Sequence, residues 1–263
     1  MVKIMVKTVA VVVMLMMPGV MRAQGANLSG QQDTVRLVAY NGLMSSVFST
    51  TQNVQRFNDT IAKYGYGRIP TTAMGAGLGI IGRFSDDFIT FGQVYVNIPL
   101  GGSSEQYTSS LWRIGVETTY AYVLLRNNVF RFYPLAGIAS NYQILAIQEQ
   151  RLTTPAQLNP AQFQEPWRIT MTSSNLHYYI GLGADVCWEN MYNRLYDMGN
   201  GLYQLDFRIG LHVAYNFGTT FIVDSPNTRH WSANGASVQG LAAIVPQGLS
   251  LKLVFTQDMV KIK

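Results

Sequence analysis

Apolar and polar residues alternate one by one along most of the chain, and most completely over residues 203–218. There Tyr203, Leu205, Phe207, Ile209, Leu211, Val213, Tyr215 and Phe217 occupy one side, while Gln204, Asp206, Arg208, Gly210, His212, Ala214, Asn216 and Gly218 occupy the other. A period of two is the signature of an extended strand with unlike faces. Residues 176–188 repeat it, with Tyr178, Ile180, Leu182, Val186 and Trp188 opposite His177, Gly181, Gly183, Asp185 and Cys187. So do residues 112–124, where Trp112, Ile114, Val116, Tyr120 and Tyr122 oppose Arg113, Gly115, Glu117 and Ala121. Weaker alternation over 35–48, 72–84, 87–99, 129–147 and 247–257 brings the number of predicted strands to eight.

Antiparallel partners must set matching faces on the same side, which tests the turns. A three-residue turn at 85–87 lets Phe84 oppose Phe88, and one at Arg126-Asn127-Asn128 lets Leu125 oppose Val129. Asn and Asp tolerate the left-handed backbone that such loops need. The other connections are longer, at about 49–71, 100–109, 148–174 and 219–246. Short turns at one end and long loops at the other fit an up-and-down transmembrane barrel. The connection at 189–201 is longer than that pattern wants.

A soluble lipocalin-like barrel or a β-sandwich shows the same alternation with the apolar face inward. Three features favour lipid outside. The face opposite the large residues carries Gly75, Gly77, Gly79, Gly181, Gly183 and Gly210, poor cover against water but suited to a crowded lumen. Aromatics bracket the apolar faces, with Trp112 ten residues from Tyr122 and Tyr203 fourteen from Phe217. Ten tilted strand residues rise roughly 25 Å, the height of a lipid-facing band. Trp188 and Tyr215 join these as candidate girdle residues. The third feature is the charge content of 13%, about half that of an ordinary soluble domain.

The net charge of +5 comes largely from the N-terminus: Lys3, Lys7 and Arg22 fall in the first 23 residues, which hold no acid. Beyond them Lys and Arg do not cluster, so no nucleic-acid partner is expected. Residues 1–7 form a basic start, 8–17 an apolar run too short to span a bilayer, and Ala23-Gln24 a cleavage point. The predicted organisation is a signal peptide over 1–23, a barrel over 24–258 and a tail over 259–263. A single cysteine, Cys187, excludes an intrachain disulfide.

The basic signal ending Ala23-Gln24, the eight alternating strands and a helix-like stretch at 53–66 in the first long loop together resemble the small outer-membrane β-barrel proteins of Gram-negative bacteria, especially the Bacteroidota type. The resemblance implies an all-β, antiparallel, up-and-down barrel in the outer membrane. It also implies lipid and lipopolysaccharide as surroundings and the barrel-assembly machinery as a partner. One departure is the C-terminus, where Phe255 stands inside the tail rather than at the end of the chain. In the first loop, Val54, Phe57, Ile61 and Tyr64 form one helical stripe, with Thr50 or Thr51 as a candidate cap and Gly65 as a stop.

Candidate chemistry is thin. The polar faces carry Arg113, Glu117, Arg131, Asp185, Asp206, Arg208 and Lys252, which in a confined lumen should pair, with Asp185 near Arg208 and Asp206 near Lys252. His177 and His212 fall on the same faces and read as hydrogen-bonded plug residues. His230-Trp231-Ser232 resembles the His-x-Ser segment of outer-membrane lipid A deacylases, which would need an acid to orient the histidine; downstream of the pair the chain offers only Asp258. No metal or cofactor is expected. The reading is a non-enzymatic barrel, structural or binding an extracellular ligand through its long loops. The alternatives are a lipid-modifying barrel enzyme and a narrow porin, the latter disfavoured because eight strands leave room only for side chains.

Overall fold

A computed structural model describes residues 40–84, 87–126, 129–149, 168–187, 195–197, 202–218, 231–234, 236–238 and 240–261. Eight long strands carry the fold: β1 Tyr40–Asn53, β2 Thr72–Arg83, β3 Phe88–Ser103, β4 Tyr107–Tyr122, β5 Phe130–Glu149, β6 Arg168–Cys187, β7 Leu202–Asn216 and β8 Val245–Lys261. Each pairs antiparallel with its neighbour in sequence, and β1 also pairs with β8, as in Val47 opposite Leu253, so the sheet closes on itself. Closure removes every edge of the main sheet. No helix among the described residues is long and apolar enough to cross a membrane.

The faces fall as the alternation predicts. Leu78, Ile180, Leu182, Leu211, Val213 and Leu253 point outward and are exposed, Leu78 to 73%. Arg113, Glu117, Asp185, His177 and His212 point inward and are buried. The glycines of the inner face serve a definite purpose. Phe48, Tyr95, Tyr179 and Tyr133 turn their rings into the lumen, and the ladder partner of each is a glycine: Gly75, Gly115, Gly137 and Gly183. A Cβ on Gly183 would lie 2.2 Å from a Tyr133 ring carbon, and one on Gly137 2.1 Å from the Tyr179 oxygen. Each ring therefore lies over backbone that a side chain would otherwise fill.

Several boundaries differ from expectation. The first strand runs over Tyr40–Asn53 rather than 35–48, so Thr50 and Thr51 are strand residues and do not cap the helix. Helix α1 spans Gln55–Ala62, starts at Val54 without a side-chain cap, and buries Phe57 and Ile61; Gly65 follows with φ +76. The connection expected at 100–109 shrinks to 104–106, because β3 and β4 stay paired up to Ser103 and Thr108. The turn at 85–87 has the expected register, the Phe84 amide donating to the Phe88 carbonyl at 3.0 Å. The next does not: Leu125 opposes Phe132 and Arg126 opposes Arg131, not Leu125 opposite Val129. Ala121 and Leu125 are four positions apart in the chain, but their partners Leu135 and Phe132 are only three apart. This one-residue bulge turns both Leu124 and Leu125 outward, which strict alternation forbids. Part of the long 189–201 connection is a short strand, Leu195–Asp197, folded back on the start of β7.

The barrel mouth at the long-loop end is closed by chain. After helix α1, residues 64–71 return across it, and from the last loop a hairpin of Trp231–Ala233 and Ala236–Val238 adds to β6 through Ser232 opposite Thr172. Together they bury Val54, Phe57, Ile61, Ile69, Trp231 and Ile244 against Leu111, Leu145, Ile147 and Met171 of the barrel wall. Burying each such side chain contributes roughly 1.5–3 kcal/mol. A separate apolar cluster, including Ile81, Ile89, Phe91, Tyr133 and Val254, fills the short-turn end.

Candidate functional site

Between these two apolar layers the inward faces of most strands supply polar groups, and the charged ones include two clusters. Toward the short-turn end, Arg131 and Asp185 are ladder partners on β5 and β6. The guanidinium grips the carboxylate through two parallel bonds, Nε to Oδ1 at 2.9 Å and Nη2 to Oδ2 at 2.8 Å. Arg208 of β7 adds a third, Nη1 to Oδ1 at 3.2 Å. Asp185 therefore joins three adjacent strands. Nearby, Tyr133 and His212 share a hydrogen bond of 3.0 Å, and Phe91 packs on the same imidazole with ring centres 5.3 Å apart.

The second cluster centres on Glu117 of β4. Its Oε1 accepts from Tyr179 at 2.6 Å and from Thr119 at 3.1 Å, and its Oε2 from Gln93 at 3.0 Å. Lys252 pairs with the same carboxylate. β4 and β8 are four places apart in a ring of eight, so this ion pair spans the lumen. Lys252 stands opposite His212 in the ladder and Asp206 opposite Asp258, so the register expected to bring Asp206 to Lys252 does not form. Ladder neighbours are one way to pair in a barrel; meeting across the interior is another.

Above Glu117, the wall holds the mouth segments by side-chain amides. Gln52 donates to the Pro70 carbonyl at 2.7 Å, and Gln143 and Asn175 donate to the Ile244 carbonyl at 2.8 and 3.0 Å. Arg113 donates to Gln52 Oε1 at 2.9 Å. None of these amides was singled out by sequence. The available signal was their position on the inward side of strands whose outward side is apolar.

The remaining chemical candidates do not converge. His177 is buried against Asn141, its Nδ1 3.4 Å from the amide nitrogen, and Cys187 is buried on the inner face of β6. His230 lies outside the described residues. Ser232 pairs with Thr172 at the long-loop end, whereas Asp258 sits some twelve residues down β8 from Pro246, roughly 40 Å of strand. The two cannot share a site. Among the described residues, no group of three or more His, Cys, Asp or Glu is placed to hold a metal ion.

On the outer wall Trp112, Tyr122 and Tyr215 are exposed, and Phe217 packs on Tyr215 with centroids 5.2 Å apart. Tyr203 stands opposite Lys261 in the ladder, and Trp188 lies outside the described residues. At the rim of the mouth, Tyr64 stacks on Tyr66 at 6.2 Å and Tyr66 meets Tyr107 edge-on at 4.9 Å. Burial, reinforced by Tyr107 and Tyr64 beside it, raises the Tyr66 phenol above its ordinary pKa, so it stays a neutral donor.

No family model matches the chain, and no curated protein does. Among solved structures, it is similar to Ail, the attachment invasion locus protein of Yersinia pestis, at 11% identity and TM-score 0.40, covering 84% of this chain and 99% of that one. It is also similar to Neisserial surface protein A, at 10% identity and TM-score 0.33, covering 84% and 97%. The outer membrane protease OmpT of Escherichia coli matches at 9% identity and TM-score 0.34, covering 88% and 99%.

Proposed function

We propose that the protein is a non-enzymatic outer-membrane barrel that anchors a structured loop surface and makes its specific contacts there. The observation that carries this reading is the pairing of an exposed apolar outer wall with a polar interior that is filled by ion pairs and covered by chain at the mouth. Lipid would meet Leu78, Ile180, Leu211 and Leu253 on the wall. Trp112 and Tyr215 would mark the upper interface of the bilayer and Tyr122 the lower, as in the aromatic girdles of such barrels. A signal peptide over 1–23 and insertion by the barrel-assembly machinery belong to the same proposal.

The contact surface would lie at the long-loop end, in residues 54–71 and 231–244; the expected contact loops at 150–167 and 219–230 lie outside the described residues. The exposed Tyr64, with Tyr66 and Tyr107 behind it, offers a rigid aromatic platform, flanked in sequence by Lys63 and Arg68. Lipopolysaccharide, with sugars and anionic groups, fits such a rim. The test is fractionation followed by binding. The mature protein should partition with outer membranes, need detergent, and migrate differently on gels before and after boiling. Lipopolysaccharide should bind the intact protein less well after Tyr64→Ala and leave with its acyl chains intact. Solubility in plain buffer as a monomer would overturn the membrane reading. Acyl release that is lost in His230→Ala would replace it with the lipid-modifying enzyme.

A further inference from the structure

Beneath the capped mouth the lumen keeps a cavity of about 40 Å³. Its charged walls are Arg113, Lys252 and Glu117, two cations against one anion. Glu117 is already committed to Lys252. Arg113 is 1% exposed, its one hydrogen bond among the described residues goes to the neutral Gln52, and its Nε is enclosed without any partner. A guanidinium cannot shed its proton in a protein, and a buried charge without a counter-charge is costly. The other two lumen carboxylate contacts are made by Asp185 to Arg131 and Arg208, in the cluster nearer the short-turn end. Asn97, Arg113's ladder partner, and Tyr95 line the same cavity, and each side chain carries a donor.

We propose that this cavity binds one monovalent anion of halide size, lying against the Arg113 guanidinium and supplying the counter-charge that Arg113 lacks. The volume sets the size, since it admits only a few water-sized occupants. Charge sets the valence. The anion would sit under the Arg113–Gln52–Pro70 chain of hydrogen bonds and so support the segment that covers the mouth.

The probe is bromide, exchanged for chloride in crystals of the full mature protein in detergent and located by its anomalous scattering. A bromide peak in the cavity against the Arg113 guanidinium in the wild type, absent in Arg113→Gln, is the expected result. A second measurement follows the denaturation midpoint in chloride against gluconate at equal ionic strength. The wild type should gain from chloride, as any ligand of the folded state stabilises it, and Arg113→Gln should lose that gain. Water alone beside Arg113, or bromide found only at the protein surface, would overturn the proposal. The wild-type peak decides, so the test stands even where the variant fails to fold.

Discussion

The two ends of the lumen are closed by different physics. At the short-turn end the strands close it themselves: Asp185 ties β5, β6 and β7 through two arginines, and Tyr133 fills the space over its partner Gly183. At the long-loop end the strands supply only a socket. Its stopper is chain from two loops, held by apolar packing around Phe57 and Trp231, whose rings are 5.6 Å apart, and by a few amide bonds to loop carbonyls. Cross-strand contacts of the first kind belong to the barrel's own stability. Contacts of the second kind can fail while the ladder of backbone hydrogen bonds stays whole. The long-loop end is thus the end that can vary without loss of the fold.

This contrast orders the expected effects. Asp185→Ala leaves Arg131 and Arg208 without their shared carboxylate, and should cost about 3–5 kcal/mol in global stability, read as a lower urea midpoint in detergent. Trp231→Ala should cost a comparable amount, about 3–5 kcal/mol, but locally. Amides of 54–71 and 231–244 should lose hydrogen-exchange protection while those of β7 and β8 keep theirs, and a uniform loss across the barrel would erase the distinction drawn here. Gly183→Val drives a side chain into the Tyr133 ring and should lower the midpoint by about 1–3 kcal/mol. Tyr133→Phe, which removes only the hydroxyl bonded to His212, should have the smallest effect, about 0.5–1.5 kcal/mol.

The eight strands and their two faces were legible because lipid outside and packed polar groups inside impose opposite demands on successive residues. Where that contrast fades, so does the signal. The upper half of β1 carries Ser49, Thr51 and Asn53 outward against Thr50 and Gln52 inward, so its last turn of pairing reads as loop. Gly101 and Gly102 look like a linker, yet they continue β3 by pairing with Ser110 and Ser109, and the returning loop leaves no room for a side chain: a Cβ on Gly102 would lie 1.7 Å from the Arg68 carbonyl oxygen. The lumen charges could be named from parity, but not all of their partners. Asp185 and Arg208 sit on adjacent strands and could be matched, whereas Glu117 and Lys252 meet across the interior, a distance that no ladder register describes. The stopper was the least legible element. Its helix shows a stripe, but Trp231 and Ile244 lie in a loop with no period to reveal that they are buried.

Conductance tests the filled lumen most directly. The mature protein, folded and reconstituted in planar lipid bilayers, should give no stable ohmic channel, because Glu117, Lys252, Arg131, Asp185 and Arg208 occupy the interior below a covered mouth. Residues 231–244 can be removed as a control; the strands should remain folded and conductance should still be absent, since the ion pairs lie beneath the stopper. A steady conductance from the intact protein would contradict the account and make the barrel a narrow pore.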